Sequence, residues 1–261
     1  MSNYKISLIM KRKEDSKNNN YDSMSFTDHL EELRQRLLNS IYSILICIFF
    51  SFLIIKPLIS FLEIPASDIH LLQLAPGEFL FVAIKVAGYS GIIVSIPYIF
   101  YQLILFISPG LTKKEKNLIL PAVFGSGLLF FLGLLFSWWI LVPAAINFFI
   151  NFGADIVEPT WSIERYFDFV LLLMSSTAIA FQLPVLQFIL GSLGIITTEK
   201  MLSNWKIVVI SSAILSAVIT PSTDPLTMSL LSISIIFLFF VGAGLTYISE
   251  SLKSKTLSSS H

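Results

Sequence analysis

Two short segments concentrate the polar chemistry of an otherwise apolar chain. The first is Thr27-Asp28-His29-Leu30-Glu31-Glu32-Leu33-Arg34-Gln35-Arg36-Leu37. The second is Phe106-Ile107-Ser108-Pro109-Gly110-Leu111-Thr112-Lys113-Lys114-Glu115-Lys116. In the first, Phe26, Leu30, Leu33 and Leu37 recur at helical spacing, which predicts an amphipathic helix at a membrane interface. Asp28 is its expected N-cap, with Glu31 three residues on in capping-box style. Glu32 is left over; its plainer role is an i,i+4 pair with Arg36 in the favourable orientation. In the second segment Glu115 is the only acid among lysines. It is either a solvated loop charge or a carboxylate kept ionised by its neighbours and open to exchange of partners. Two carboxylates on one membrane face suit recognition of guanidinium groups, because arginine offers a planar fork to a carboxylate whereas lysine offers a point charge.

A third polar point is Lys85, which falls inside a long apolar stretch. A charge at membrane depth is functional by default. The alternatives are a stem that snorkels to the interface or a pair with Asp168. No catalytic constellation accompanies these residues. There is no GxxxxGK[ST] phosphate cradle, no GxSxG and no Ser/His pair within one span. His29, His70 and His261 are far apart, and Cys47 is the only cysteine. Neither a metal site nor a disulfide is expected, nor any other cofactor, and the chain does not read as an enzyme.

The elements that must hold these residues are membrane helices. The 261 residues carry 17 Lys+Arg and 17 Asp+Glu, so the formal net charge is zero and no basic face for nucleic acid stands out. Charged residues make up 13%, about half the usual share of roughly 25%. Hydrophobic residues make up 55%, with 23 Phe, and mean hydropathy is +0.80. A soluble domain cannot hide that much apolar surface. Six spans are expected, at about 37–55, 79–105, 118–141, 166–190, 207–219 and 226–247. The last two are joined by Thr220-Pro221-Ser222-Thr223-Asp224-Pro225, a tight turn by composition. The fold class is therefore all-α and multi-pass, with a six-helix membrane domain over 25–248. Residues 1–24 read as a polar, disordered tail rather than a cleaved signal, and 249–261 as a second tail. Lys and Arg crowd the N-terminal segment, the 113–116 loop, Lys200, Lys206, Lys253 and Lys255. That bias puts both termini on the side of synthesis.

The motifs resemble a known family. His29-Leu30-Glu31-Glu32-Leu33-Arg34 is similar to the HLxELR element of TatC, the polytopic subunit of the twin-arginine protein translocase. Phe106 to Glu115 resembles that family's FxxPgLxxxE element, and Thr220 to Pro225 its TPxxD turn. The resemblance covers about residues 25–248 and implies a receptor for the twin-arginine signal peptides of folded precursors. It also implies assembly with small single-span TatA/TatB-type subunits and further copies of itself, short last two helices, and transport driven by the proton-motive force. Carried over, Glu32 and Glu115 pair with the two arginines, Arg34 orders the N-terminal patch and Phe106 packs against the signal. Gln182 faces a concave intramembrane groove and touches a partner helix or the inserted signal, with Lys85 as a further contact of that kind, and Asp224 caps or braces the far turn.

Leu74 to Phe79, Val86 to Gly91, Trp161 to Phe167 and Gln182, where many bacterial members carry Glu, resemble the plastid and cyanobacterial branch. That implies a plastid thylakoid membrane, or else a cyanobacterial one. Pro97, Pro121, Pro143 and Pro184 sit in or at the ends of spans two to four, which the family reading turns into a fixed, curved wall. The competing function is a small-solute or ion carrier. It requires a midplane polar site, for which only Lys85 and Gln182 are on offer.

Overall fold

The computed structural model describes residues 26–67, 69–107, 113–152, 160–220 and 224–258. The tail expected over 1–24 lies outside the described residues, as do Pro221, Ser222 and Thr223 of the tight turn. No proline or glycine interrupts Phe26–Leu53, so the amphipathic segment and the first span form one 28-residue helix, α1. Asp28 is therefore not an N-cap; it stands inside the first turn of a helix already under way at Phe26. After α1 the chain turns into α2 (Ile55–Glu63), an amphipathic helix whose Ile59 and Leu62 are buried. A single 3-10 turn, Ile64–Ala66, follows.

α3 (Glu78–Ile107) runs through Pro97, and α4 (Lys113–Phe136) through Pro121. α4 passes into a π-helical turn, Ser137–Leu141, before α5 (Val142–Phe152). The wider π turn spares a backbone donor where Pro143 cannot supply one. The fourth span is broken rather than bent. α6 (Ile163–Ala180) stops, Phe181 and Gln182 form a turn, and α7 (Leu183–Ser192) restarts with Pro184 in its first turn. A short α8 (Thr198–Ser203) leads to α9 (Trp205–Ile219) and α10 (Pro225–Ser258). Among the described residues five stretches are long and apolar enough to cross a membrane: His29–Leu53, Glu78–Phe106, Pro121–Phe152, Ile163–Ser192 and Pro225–Ser251. α9 is shorter; its 15 residues reach ~22 Å at ~1.5 Å each, against ~30 Å of hydrocarbon. The expectation that both final helices are short holds for α9 only. α10 has 34 residues.

α6 is the centre of the bundle, packed between α3 and α4. Its Phe167, Val170, Leu171 and Leu173 are almost fully buried, against Val82 and Val86 of α3. α10 packs on α7 and α9. The outward faces are apolar, as with Phe49 and Phe50 of α1 and Ile210, Ile214 and Val218 of α9. Apolar surface of this extent suits lipid and not water. One end of the bundle is closed by a short parallel strand pair, β1 (His70–Leu72) with β2 (Thr160–Ser162), in the register Leu71↔Trp161.

Helix α1 is held mainly by α3. At Gly91 the two backbones come so close that a Cβ would lie 2.6 Å from Ile48 N and Cα. Only glycine permits that approach. Gly91→Leu is expected to destabilise the chain by about 1–3 kcal/mol through forced separation of the helices. Gly88→Ala, which meets nothing within 4 Å, is expected to leave stability unchanged or raised. Thermal unfolding of both variants in one detergent checks the pair.

Candidate functional site

The site forms where the N-terminal turns of α1 lie against the C-terminal turns of α3. Glu32 and Arg36 are one turn apart on α1, and Arg36 Nη2 donates to Glu32 Oε1 at 3.2 Å. Arg36 Nη1 crosses to α3 and donates to Gln102 Oε1 at 3.1 Å. The amide of Gln102 in turn donates to the Tyr98 hydroxyl at 2.6 Å. Glu32, Arg36, Gln102 and Tyr98 are thus one directed hydrogen-bonded chain across the helix interface. The second carboxylate oxygen, Glu32 Oε2, is buried and has no hydrogen-bond partner among the described residues. On the Arg36 side of the pair an apolar groove of about 200 Å³ is lined by Leu33, Leu37, Ile99, Leu103 and Phe106, with Arg36 and Gln102 at its polar edge. Phe106 stacks on His29 with ring centroids 4.4 Å apart. An anionic acceptor short of a donor, next to an apolar slot, is suited to a ligand carrying a planar cation and a hydrophobic side chain.

Arg34 points away from this network and pairs with Glu31 at 3.1 Å, both side chains 70% exposed. Glu31 therefore serves Arg34 rather than a capping box. Glu115 lies in the first turn of α4, and its side chain is outside the described residues.

Gln182 does not open onto a groove. It sits in the turn between α6 and α7, only 3% exposed. Its Nε2 donates to the Ser126 carbonyl of α4 at 3.2 Å, while its Oε1 has no partner among the described residues. The cause is close packing of α4 on α6: a Cβ at Gly133 would lie 2.9 Å from Ala178 Cα and from Phe181, which leaves the helix break facing protein. Asp224 caps α10, its Oδ2 accepting the Thr227 N–H at 2.8 Å.

At the opposite end of α3, Lys85 is a ligand of two acids. Its Nζ lies 2.7 Å from Glu164 Oε1 and 2.8 Å from Asp168 Oδ1, both on α6. A neighbouring carboxylate, Glu78, is 4% exposed. It accepts the Ser162 hydroxyl and the backbone N–H groups of Leu74 and Ala75. It is the residue that ties the strand pair to the start of α3. Lys85→Met strips from two carboxylates the cation they share and is expected to cost about 1–3 kcal/mol. The triple variant Lys85→Met/Glu164→Gln/Asp168→Asn should recover most of the loss in thermal unfolding. Equal losses in the two variants would refute an electrostatic role for the cluster.

Gln102 and Tyr98 carry no distinguishing sequence signal, and Glu78 only a weak one. Only the pairing of helices reveals the first two. For Glu78 the one available signal is an acid at the start of a helix that directly follows Pro76-Gly77.

Comparison with known proteins places this geometry in a family. The family model described as Sec-independent protein translocase protein (TatC) matches residues 28–234. The chain is 52% identical over 221 residues to the Sec-independent protein translocase protein TatC of Synechocystis sp., covering 85% of this chain and 87% of that protein. It is 48% identical over 222 residues to the chloroplastic Sec-independent protein translocase protein TATC of Arabidopsis thaliana, covering 84% of this chain and 65% of that longer protein. The crystal structure of a twin-arginine translocase receptor, TatC, superposes with a TM-score of 0.74 at 34% identity, covering 85% of this chain and 99% of that one. These matches span both elements that build the Glu32 network, and the chain belongs to the TatC family of Sec-independent protein translocase proteins.

Proposed function

We propose that this chain is the signal-peptide receptor and scaffold of a twin-arginine translocase. The observation that carries the reading is Glu32 Oε2, a buried carboxylate oxygen without a donor among the described residues, whose ion-pair partner Arg36 lines an apolar groove. One arginine of the signal peptide donates to that oxygen, and a neighbouring apolar residue of the peptide enters the slot against Phe106. Glu115, in the first turn of the adjacent helix α4, is the proposed acceptor for the second arginine. Arg34, paired with Glu31 at the exposed rim, orders the approach. A charge-assisted hydrogen bond of this kind is worth about 1.5–3 kcal/mol.

In this reading six spans cross the membrane, α9 being the short fifth, and both termini face the side of synthesis. The lysines and arginines flanking the spans support that orientation. Small single-span TatA/TatB-type subunits and further copies of this chain complete the transport path for folded proteins, and the proton-motive force drives it. Gln182, whose buried carbonyl oxygen has no partner among the described residues, is the proposed contact for a partner helix or the inserted signal once the bundle loosens. Lys85 is assigned to holding α3 on α6 and not to a partner. Asp224 braces the turn into α10. The proposed location is a thylakoid membrane.

The test is site-specific photocrosslinking in native-like membranes, with the probe beside the arginine pair of a synthetic signal peptide. Crosslinks are expected to map to 29–37 and 102–106, and to fall at least tenfold with Glu32→Gln/Glu115→Gln. Crosslinks that ignore both acids would exclude the two-carboxylate site. Absence of any contact with the folded, inserted chain would exclude the receptor reading.

A further inference from the structure

We infer that Arg36 is the residue that makes this site read arginine rather than lysine. The inference rests on the receptor reading above and deepens it. A bare carboxylate attracts guanidinium and ammonium alike, because long-range attraction depends on charge and not on shape. Glu32 is not bare. Arg36 Nη2 lies 3.2 Å from its Oε1, so the pair is formally neutral before any ligand arrives. The indiscriminate part of the attraction is thereby cancelled.

What remains of the pair is a buried acceptor, Oε2, unpartnered among the described residues, whose requirement is a well-directed N–H. A guanidinium meets it cheaply: it is weakly hydrated, planar and rich in donors. An ammonium is a compact, strongly hydrated charge. It must shed water to reach one oxygen of an already neutralised acid, and the exchange gains it little.

The arrangement is fixed and not incidental. Arg36 is held from the other side by Gln102 Oε1 at 3.1 Å. The orientation of that amide is set by its donation to the Tyr98 hydroxyl at 2.6 Å. The resident guanidinium therefore cannot swing onto Oε2 without giving up α3. Its side chain is 30% exposed and that of Glu32 19%, so the pair is shielded enough for its neutralisation to matter. Arg36 thus acts through Glu32 as a positioning and screening residue.

The experiment titrates the full chain in lipid nanodiscs with a fluorescent synthetic signal peptide carrying either Arg-Arg or Lys-Lys at the pair, at two salt concentrations. Wild type is expected to favour Arg-Arg. In Arg36→Gln the preference should shrink about tenfold, chiefly because the Lys-Lys peptide binds more tightly, and binding of both peptides should become more salt-dependent. Arg36→Lys keeps the charge but not the fork that spans Glu32 and Gln102, and should lose part of the preference, less than Arg36→Gln. Gln102→Leu frees Arg36 from α3 while retaining it, and should fall between wild type and Arg36→Gln; it carries the same test if Arg36→Gln does not insert. A role limited to supporting the fold would weaken both peptides equally, and that result, or an unchanged preference, overturns the inference while leaving the receptor reading intact. Wild type that binds neither peptide overturns both.

Discussion

Gly91 lets the backbone of α3 come against Ile48 of α1, and what the first helix can present to a ligand follows from that contact. α1 has few other neighbours; only 6% of its apolar window is buried inside the chain. Its register against α3 is therefore set by one close approach in the membrane and by one polar bridge near its start, Arg36 to Gln102. The two constraints are complementary. The glycine fixes the distance between helices, and the hydrogen-bonded chain fixes their relative rotation. Together they hold Glu32 with one oxygen engaged and the other without a partner among the described residues, which is the preorganisation that the proposed binding site on a long, lipid-exposed helix needs.

The rest of the bundle keeps α3 still. α6 is buried on most sides and supplies both partners of Lys85. At the same end Glu78 and the β1–β2 pair lock the loops together, and the Tyr166 hydroxyl donates to the Leu62 carbonyl at 2.7 Å. The polar density at this end contrasts with the sparser hydrogen bonding at the Glu32 end. α3 is common to both ends: it is tied to α6 at one and to α1 at the other. The Synechocystis and Arabidopsis relatives agree with a multi-pass membrane protein of plastid or cyanobacterial membranes.

Much of this was legible in the sequence, for identifiable reasons. The Glu32–Arg36 pair is local, so helical spacing alone predicts it. Lys85 and Asp168 are charges in apolar segments, where few partners exist, and they do meet. Asp224 before Pro225 is an ordinary helix start. Features that depend on long-range packing were not legible. Gln102 looks like any polar residue in a span until α1 is laid beside it. The strands are three residues each and pair His70 with Thr160, too short and too distant for any local signal. Charged residues after 248 read as a tail, yet α10 continues and Glu250 accepts the Thr198 N–H at 3.1 Å, which caps α8. Gln182 is expected from the resemblance to face a concave intramembrane groove; in this chain alone it is buried, because α4 packs closely on α6 at Gly133.

The proposed receptor role depends on a direct bond between Glu32 and a guanidinium of the signal peptide. The most direct measurement is a double-mutant cycle on binding to the full chain, with Glu32→Gln on one side and arginine replaced by its neutral analogue citrulline on the other. A coupling energy of about 1.5–3 kcal/mol for one of the two arginines is the result the structure predicts. Losses that simply add, to within about 0.5 kcal/mol at both positions, would mean that the open oxygen of Glu32 is not where the signal is read.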